Sequence, residues 1–133
     1  MFDPVISHLP AFAGYFATAV GLLAVFTVLY VYFTPYSEMA LIRDGNAAAA
    51  VSLGGAMIGY ALPIAVSVAV SHDLASMAAW GLIACFVQLL AYMVARLALP
   101  LLIQAIPQGK VAAGIFLATI SLSVGILNAG CIA

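Results

Sequence analysis

The sequence predicts an all-α integral membrane protein with four transmembrane helices, arranged as two tandem, parallel-related helical hairpins. Three observations carry that expectation. Apolar residues make up 68% of the 133-residue chain and charged residues 5%, against roughly 45–50% and about 25% in soluble globular proteins. Four stretches reach the ~20 apolar residues that cross ~30 Å of hydrocarbon. Two segments 64 residues apart share a pattern. So short a chain leaves much of its surface exposed, and with this composition it needs lipid as solvent. Three Lys and Arg residues cannot build the basic face that nucleic-acid binding requires. A disordered region would be less apolar and more charged.

The spans expected are Pro10–Phe33, Ala47–Val70, Leu74–Leu99 and Val111–Ile132, free of charge except for Arg96 in the last turn of the third. Residues Thr34–Glu38 and Arg43–Asn46 hold the turn and cap chemistry of the first connection. Between them Met39–Ile42 reads as a short interfacial helix. Ser71-His72-Asp73 forms the second connection, with Asp73 or Ser71 as the cap of the third span. Pro100 and the run Ile106–Lys110 bound the third connection. The segment Met1–Pro10 carries no Lys or Arg, and the apolar run after it is too long for a signal peptide's core, so it is read as leading into a retained span.

Positive residues set direction. Arg43 lies in the first connection, Arg96 and Lys110 flank the third, and the second connection has none. Connections one and three are therefore expected in the cytoplasm, with both termini outside. Tyr30, Tyr32, Phe33 and Tyr36 are expected as an aromatic belt at the inner surface.

The repeat aligns Ile42–Leu53 with Ile106–Leu117 in the pattern Ile-x-x-Gly-x-x-Ala-Ala-small-aliphatic-x-Leu. Pro35 and Pro100 precede the two copies at nearly the same offset. One membrane domain, 1–133, would then hold repeat one over about 10–72 and repeat two over about 73–133. Each unit has two spans, so both copies point the same way through the membrane. Chance matching of Ala-rich helices is the alternative.

Small residues stand out among those with a possible role. Ala48, Ser52, Gly55 and Gly59 recur at 4-3-4 spacing in the second span; Gly114, Ala118, Ser121, Gly125 and Asn128 recur at 4-3-4-3 in the fourth. Such seams pack helices closely where lipid supplies no hydrophobic drive; the competing reading is a pore or gate lined by small groups. Pro63 removes a hydrogen bond to the Gly59 carbonyl and should kink the second span, as a hinge or as a fixed bend. Gln88 near the midplane and Asn128 in the outer third are read as interhelical hydrogen-bonding groups, with substrate coordination as the sharper alternative. Arg96 is read as a snorkelling anchor; Arg43 and Lys110 are candidate partners in binding anionic lipid. Asp44 and Asn46 look like caps of the second span.

Chemistry-bearing groups are sparse. No Asp, Glu, Lys or His falls at midplane depth, so the acid chain of a proton pump is missing. No span has paired His for haem. His8, His72, Asp3 and Asp73 are a weak metal signal. Cys85 and Cys131 fall at different depths, which disfavours a disulfide between them. No nucleophile, base and orienting group can be assembled. No catalytic residue, cofactor or metal is expected.

The run Leu41–Ala50, the segment Gly59–Ala65 and the ending Gly125–Cys131 resemble the YjfL-like bacterial inner-membrane proteins, also called domain of unknown function 350. The resemblance covers about Tyr15 to Cys131. It implies a duplicated two-helix unit in the bacterial cytoplasmic membrane, and it carries no settled activity or catalytic residue. Lys110 stands in the second copy where the first has Asn46, so a role for that Asn would belong to one repeat. The expectation is a small non-enzymatic inner-membrane protein, surrounded by lipids and oligomeric, with a channel-like or permeation role. The alternative is an accessory or scaffold subunit of a larger membrane complex, without transport of its own.

Overall fold

A computed structural model of the chain describes residues 3–133, with side-chain surroundings from residue 4 onward. Four long helices carry the fold: α1 (Asp3–Phe33), α3 (Ala47–Val70), α4 (Leu74–Ala98) and α6 (Val111–Ile132). Each is long and apolar enough to cross a membrane. Two six-residue helices, α2 (Glu38–Arg43) and α5 (Pro100–Ala105), lie in the first and third connections. Three spans start where expected. The first differs: α1 runs on through Pro10, which costs the helix the bond its N–H would have made to the Ile6 carbonyl but does not end it. Its 31 residues make a rod of about 46 Å, longer than the hydrocarbon. The second short helix is unforeseen. Pro100 starts α5 from the first turn, where a ring-fixed φ favours helix and no N–H is needed.

Contacts rise or fall together along the chain and so give direction. Leu22 packs on Gly81 and Tyr30 on Tyr92, so α1 and α4 run parallel. Gly114 meets Ala48, and Ala118 meets Gly55, so α3 and α6 are parallel too. Gln88 donates to the Ser121 carbonyl (3.2 Å) and Asn128 to the Ala84 carbonyl (3.2 Å), which makes α4 and α6 antiparallel. Both α1 and α6 pack against α3 and α4, and the most extensive contact is between α3 and α6.

That contact is built from absent side chains. A methyl group on Gly125 would overlap the Gly59 carbonyl oxygen, one on Gly114 the Ala48 carbonyl oxygen, and one on Gly55 the Ala118 side chain. Backbone therefore lies on backbone, as dispersion and weak Cα–H···O contacts favour in lipid. Pro63 is fully buried within an unbroken α3. It leaves the Gly59 carbonyl without its usual intrahelical donor, and Gly125 packs against that same carbonyl.

The two loop-to-helix junctions have matching geometry. Gly45 and Gly109 both take left-handed φ values, 87° and 78°, which a side chain would strain. Gly45 N–H donates to Ile42 and Gly109 N–H to Ile106; Asn46 N–H donates to Leu41 and Lys110 N–H to Ala105. The side chains at the caps differ. Asn46 accepts from Ala49 N–H (3.0 Å) and donates across the molecule to the Ile106 carbonyl (3.0 Å). Lys110 makes no side-chain cap bond.

Candidate functional site

The sequence-predicted residues fall into separate places. Ser52, Gly55, Gly59, Ser121 and Gly125 lie buried on helix faces turned into the bundle, the four from Gly55 onward at or beside the α3–α6 contact. Ser52 donates to the Ala49 carbonyl of its own helix (3.1 Å). Gln88 and Asn128 tie α4 to α6 through backbone carbonyls. Arg43 and Lys110 are exposed near the ends of α2 and α6. Arg96 is half-buried and donates to the Phe33 carbonyl at the end of α1 (2.9 Å), where a cation meets the negative end of the helix dipole. Asp73, not Ser71, caps α4 by accepting from Ser76 N–H (2.8 Å); these bonds hold its carboxyl below the usual range. Asp44 closes α2 rather than capping α3. Cys85 is buried and Cys131 exposed, both as free thiols. Of the weak metal group, the side chain of Asp3 lies outside the described residues.

A different residue is the most unusual one. Glu38, read from sequence as part of a turn, is 0% exposed. Neither carboxyl oxygen has a hydrogen-bond partner among the described residues. Its neighbours are Tyr30 on α1 and Tyr92 on α4, 1% and 3% exposed, and Tyr36 in the connection between α1 and α2. The Tyr30 and Tyr92 rings meet edge to face at 4.9 Å. None of these three hydroxyls has a partner either. Tyr60 provides the contrast within the same core: its hydroxyl donates to the Gly81 carbonyl at 2.7 Å.

Burial pushes the Glu38 carboxyl up to about 7, because the charged form loses its hydration. Burial and the nearby Glu38 hold the Tyr36 phenol well above its ordinary value. Ser52 lies beside the Tyr36 hydroxyl and donates its own proton to the Ala49 carbonyl. The Arg96 guanidinium is near enough to act on Tyr92, yet it bonds Phe33 and leaves Glu38 unpartnered. The result is one enclosed carboxyl facing three phenols, a turn or so inside the end of the bundle that carries the positive residues.

This arrangement corrects the expected aromatic belt. Tyr32 is 81% exposed and Phe33 partly exposed, but Tyr30 points into the core. Residues two apart on a helix lie about 200° apart around its axis, so Tyr30 and Tyr32 cannot both face lipid. Glu38 was hidden by its local setting. A Glu three residues past a Pro, preceded by Ser, has the composition of a surface turn. The available signal was the apolar stretch directly behind it, which draws α2 onto the bundle.

Comparison with known proteins agrees with the membrane architecture. Residues 4–132 match the family described as Domain of Unknown Function (DUF350). The chain is 35% identical over 127 residues, 96% of each chain, to the UPF0719 inner membrane protein YjfL of Escherichia coli K12. It matches the protein of the same name from Escherichia coli O157:H7 to the same extent. No solved structure matches. With the family match spanning nearly every residue and four helices fit to cross a bilayer, the chain is an inner-membrane protein belonging to the DUF350 family.

Proposed function

We propose that this protein is a non-enzymatic permeation protein of the inner membrane, working as an assembly of several copies, with Glu38 at its ion-handling centre. One observation carries the reading: a carboxyl that is fully enclosed and unpartnered. An ionisable group kept inside a membrane protein is costly, and such groups mark ion and substrate paths. The tight α3–α6 seam favours a path between copies over one through the middle of a single chain. In the same reading the two halves are copies of one hairpin, and the end holding Arg43, Arg96 and Lys110 faces the cytoplasm.

Flux of K⁺, Na⁺ and H⁺ into proteoliposomes tests the proposal. The wild type should carry flux, and Glu38→Gln should reduce it at least tenfold while remaining folded. Gly130→Ala, in open space on α6, should leave it unchanged. Absence of flux from folded wild type in every ion would overturn the proposal. A fixed stoichiometry with other membrane polypeptides would then make the chain an accessory subunit.

A further inference from the structure

The cluster around Glu38 is a ligand set as well as an ionisable group. Two carboxyl oxygens and three phenolic oxygens lie together without partners. A buried polar group left unpaired costs about 1–3 kcal/mol, and native interiors seldom leave several at one place. The phenols have protons to give and the carboxyl has lone pairs to take them, yet no bond joins them. Unpaired oxygens gathered at one buried place call for an occupant that would satisfy them.

We propose that Glu38, Tyr30, Tyr36 and Tyr92 form a binding site for one small monovalent metal cation, with Glu38 supplying the charge and the phenols supplying oxygen ligands. Three observations select that class of ligand. All the donors are oxygens, which suit hard cations rather than those preferring thiolate or imidazole. The cluster has a single formal negative charge, because phenols are ordinarily neutral near pH 7. A monovalent ion neutralises that charge, whereas a divalent ion would leave a buried excess of one, which a low-dielectric interior penalises heavily. The site is enclosed, with Glu38, Tyr30 and Tyr92 each almost without exposure, which favours a small bare ion over an organic ammonium. Tyr36 alone is partly exposed, and entry from the connection side passes it.

The groups facing Glu38 come from every element packed there. They are Tyr30 on α1, Tyr36 before α2 and Tyr92 on α4, with Ser52 of α3 beside Tyr36 and Arg96 of α4 beside Tyr92. Arg96 bonds the Phe33 carbonyl and does not take the place of the ion. A proton on Glu38 competes with the cation. Apparent affinity should therefore be weaker at pH 5.5 than at pH 8.

This inference names the ligand of the site on which the proposed function rests, but binding is measured without flux. Purified protein in detergent is titrated with LiCl, NaCl or KCl against choline chloride at constant ionic strength. The readouts are heat of binding, the unfolding midpoint and the tyrosine difference spectrum near 280 nm. The wild type should give a saturable response to at least one alkali ion at pH 8, and a weaker one at pH 5.5. Glu38→Gln should abolish the response, and Tyr92→Phe should weaken it about tenfold. Tyr60→Phe, which removes a hydroxyl already bonded to Gly81, should leave affinity unchanged. An equal response from folded wild type and Glu38→Gln overturns the site, as does pH dependence with no alkali-ion response, which makes Glu38 a proton site only. Binding without flux keeps this site and removes the permeation reading; flux without binding does the reverse.

Discussion

The two short connecting helices occupy corresponding places and bury opposite chemistries. Glu38 stands three residues after Pro35, and Ile103 stands three after Pro100. Each is the one fully buried residue of its helix. In the second connection this residue is aliphatic and joins the apolar core. In the first it is a carboxyl, with tyrosines gathered round it from α1, α4 and the connection itself. Both connections close on a left-handed glycine, Gly45 and Gly109, but Glu38 lies seven residues before the first and Ile103 six before the second, so the two buried residues correspond in burial and not in register. Burying Ile103 is favourable by about 1.5–3 kcal/mol, whereas burying Glu38 opposes folding unless its charge is neutralised. The difference sets a buried packing residue against a buried carboxyl that lacks a partner among the described residues.

The shared seam gives the strongest way to break this comparison, because both halves depend on it. Gly125→Ala places a methyl against the Gly59 backbone, and neither helix can yield by rotating a side chain. A loss of about 3 kcal/mol or more is expected, seen as loss of the folded peak in size-exclusion chromatography. Gly130→Ala on the same helix has open space and should elute as wild type. Equal behaviour of the two variants would disprove the close seam.

Next in size is the pH response of the first half. Glu38 releases its proton near 7 in the folded chain, against an ordinary value of 4.5. The folded state therefore binds more protons than the unfolded state between those values, and stability falls as pH rises through the window. In choline chloride the loss should approach about 3 kcal/mol and level off above pH 7. Glu38→Gln should flatten that profile in unfolding scans from pH 4 to 8, while Ile103→Val should lower it uniformly by about 1 kcal/mol.

The caps sharpen the comparison on a smaller scale. Asn46→Ala removes a cap and the bond reaching Ile106, for an expected loss of about 1–2 kcal/mol in chemical denaturation. Lys110→Ala removes neither kind of bond and should stay within about 0.5 kcal/mol. Smallest is the tyrosine pair in choline chloride. Tyr60→Phe should cost about 1 kcal/mol through its bond to Gly81, whereas Tyr92→Phe, losing an unpartnered hydroxyl, should cost nothing or stabilise slightly.

Three of the four spans were legible almost to the residue, since apolar runs bounded by Pro, Gly and Asn leave little choice of boundary in lipid. The small-residue seams were legible as close-packing surfaces, but not which helices they join. That pairing is decided by where backbones approach, which composition does not encode. Glu38 escaped because a single acid in a turn looks the same whether the next helix lies on the surface or folds back under the bundle. Tyr30 escaped for a related reason: an interfacial Tyr satisfies the belt rule whichever way its ring points.

The sequence by itself determined that this chain lives in lipid, that it has four spans and where three of them begin, because hydropathy and chain-breaking residues act locally. Tertiary structure alone decided that α3 lies on α6 and that Tyr92, far along the chain, joins Tyr30 and Tyr36 around Glu38. Those outcomes depend on backbone approach and on burial, and both are properties of helices already packed together.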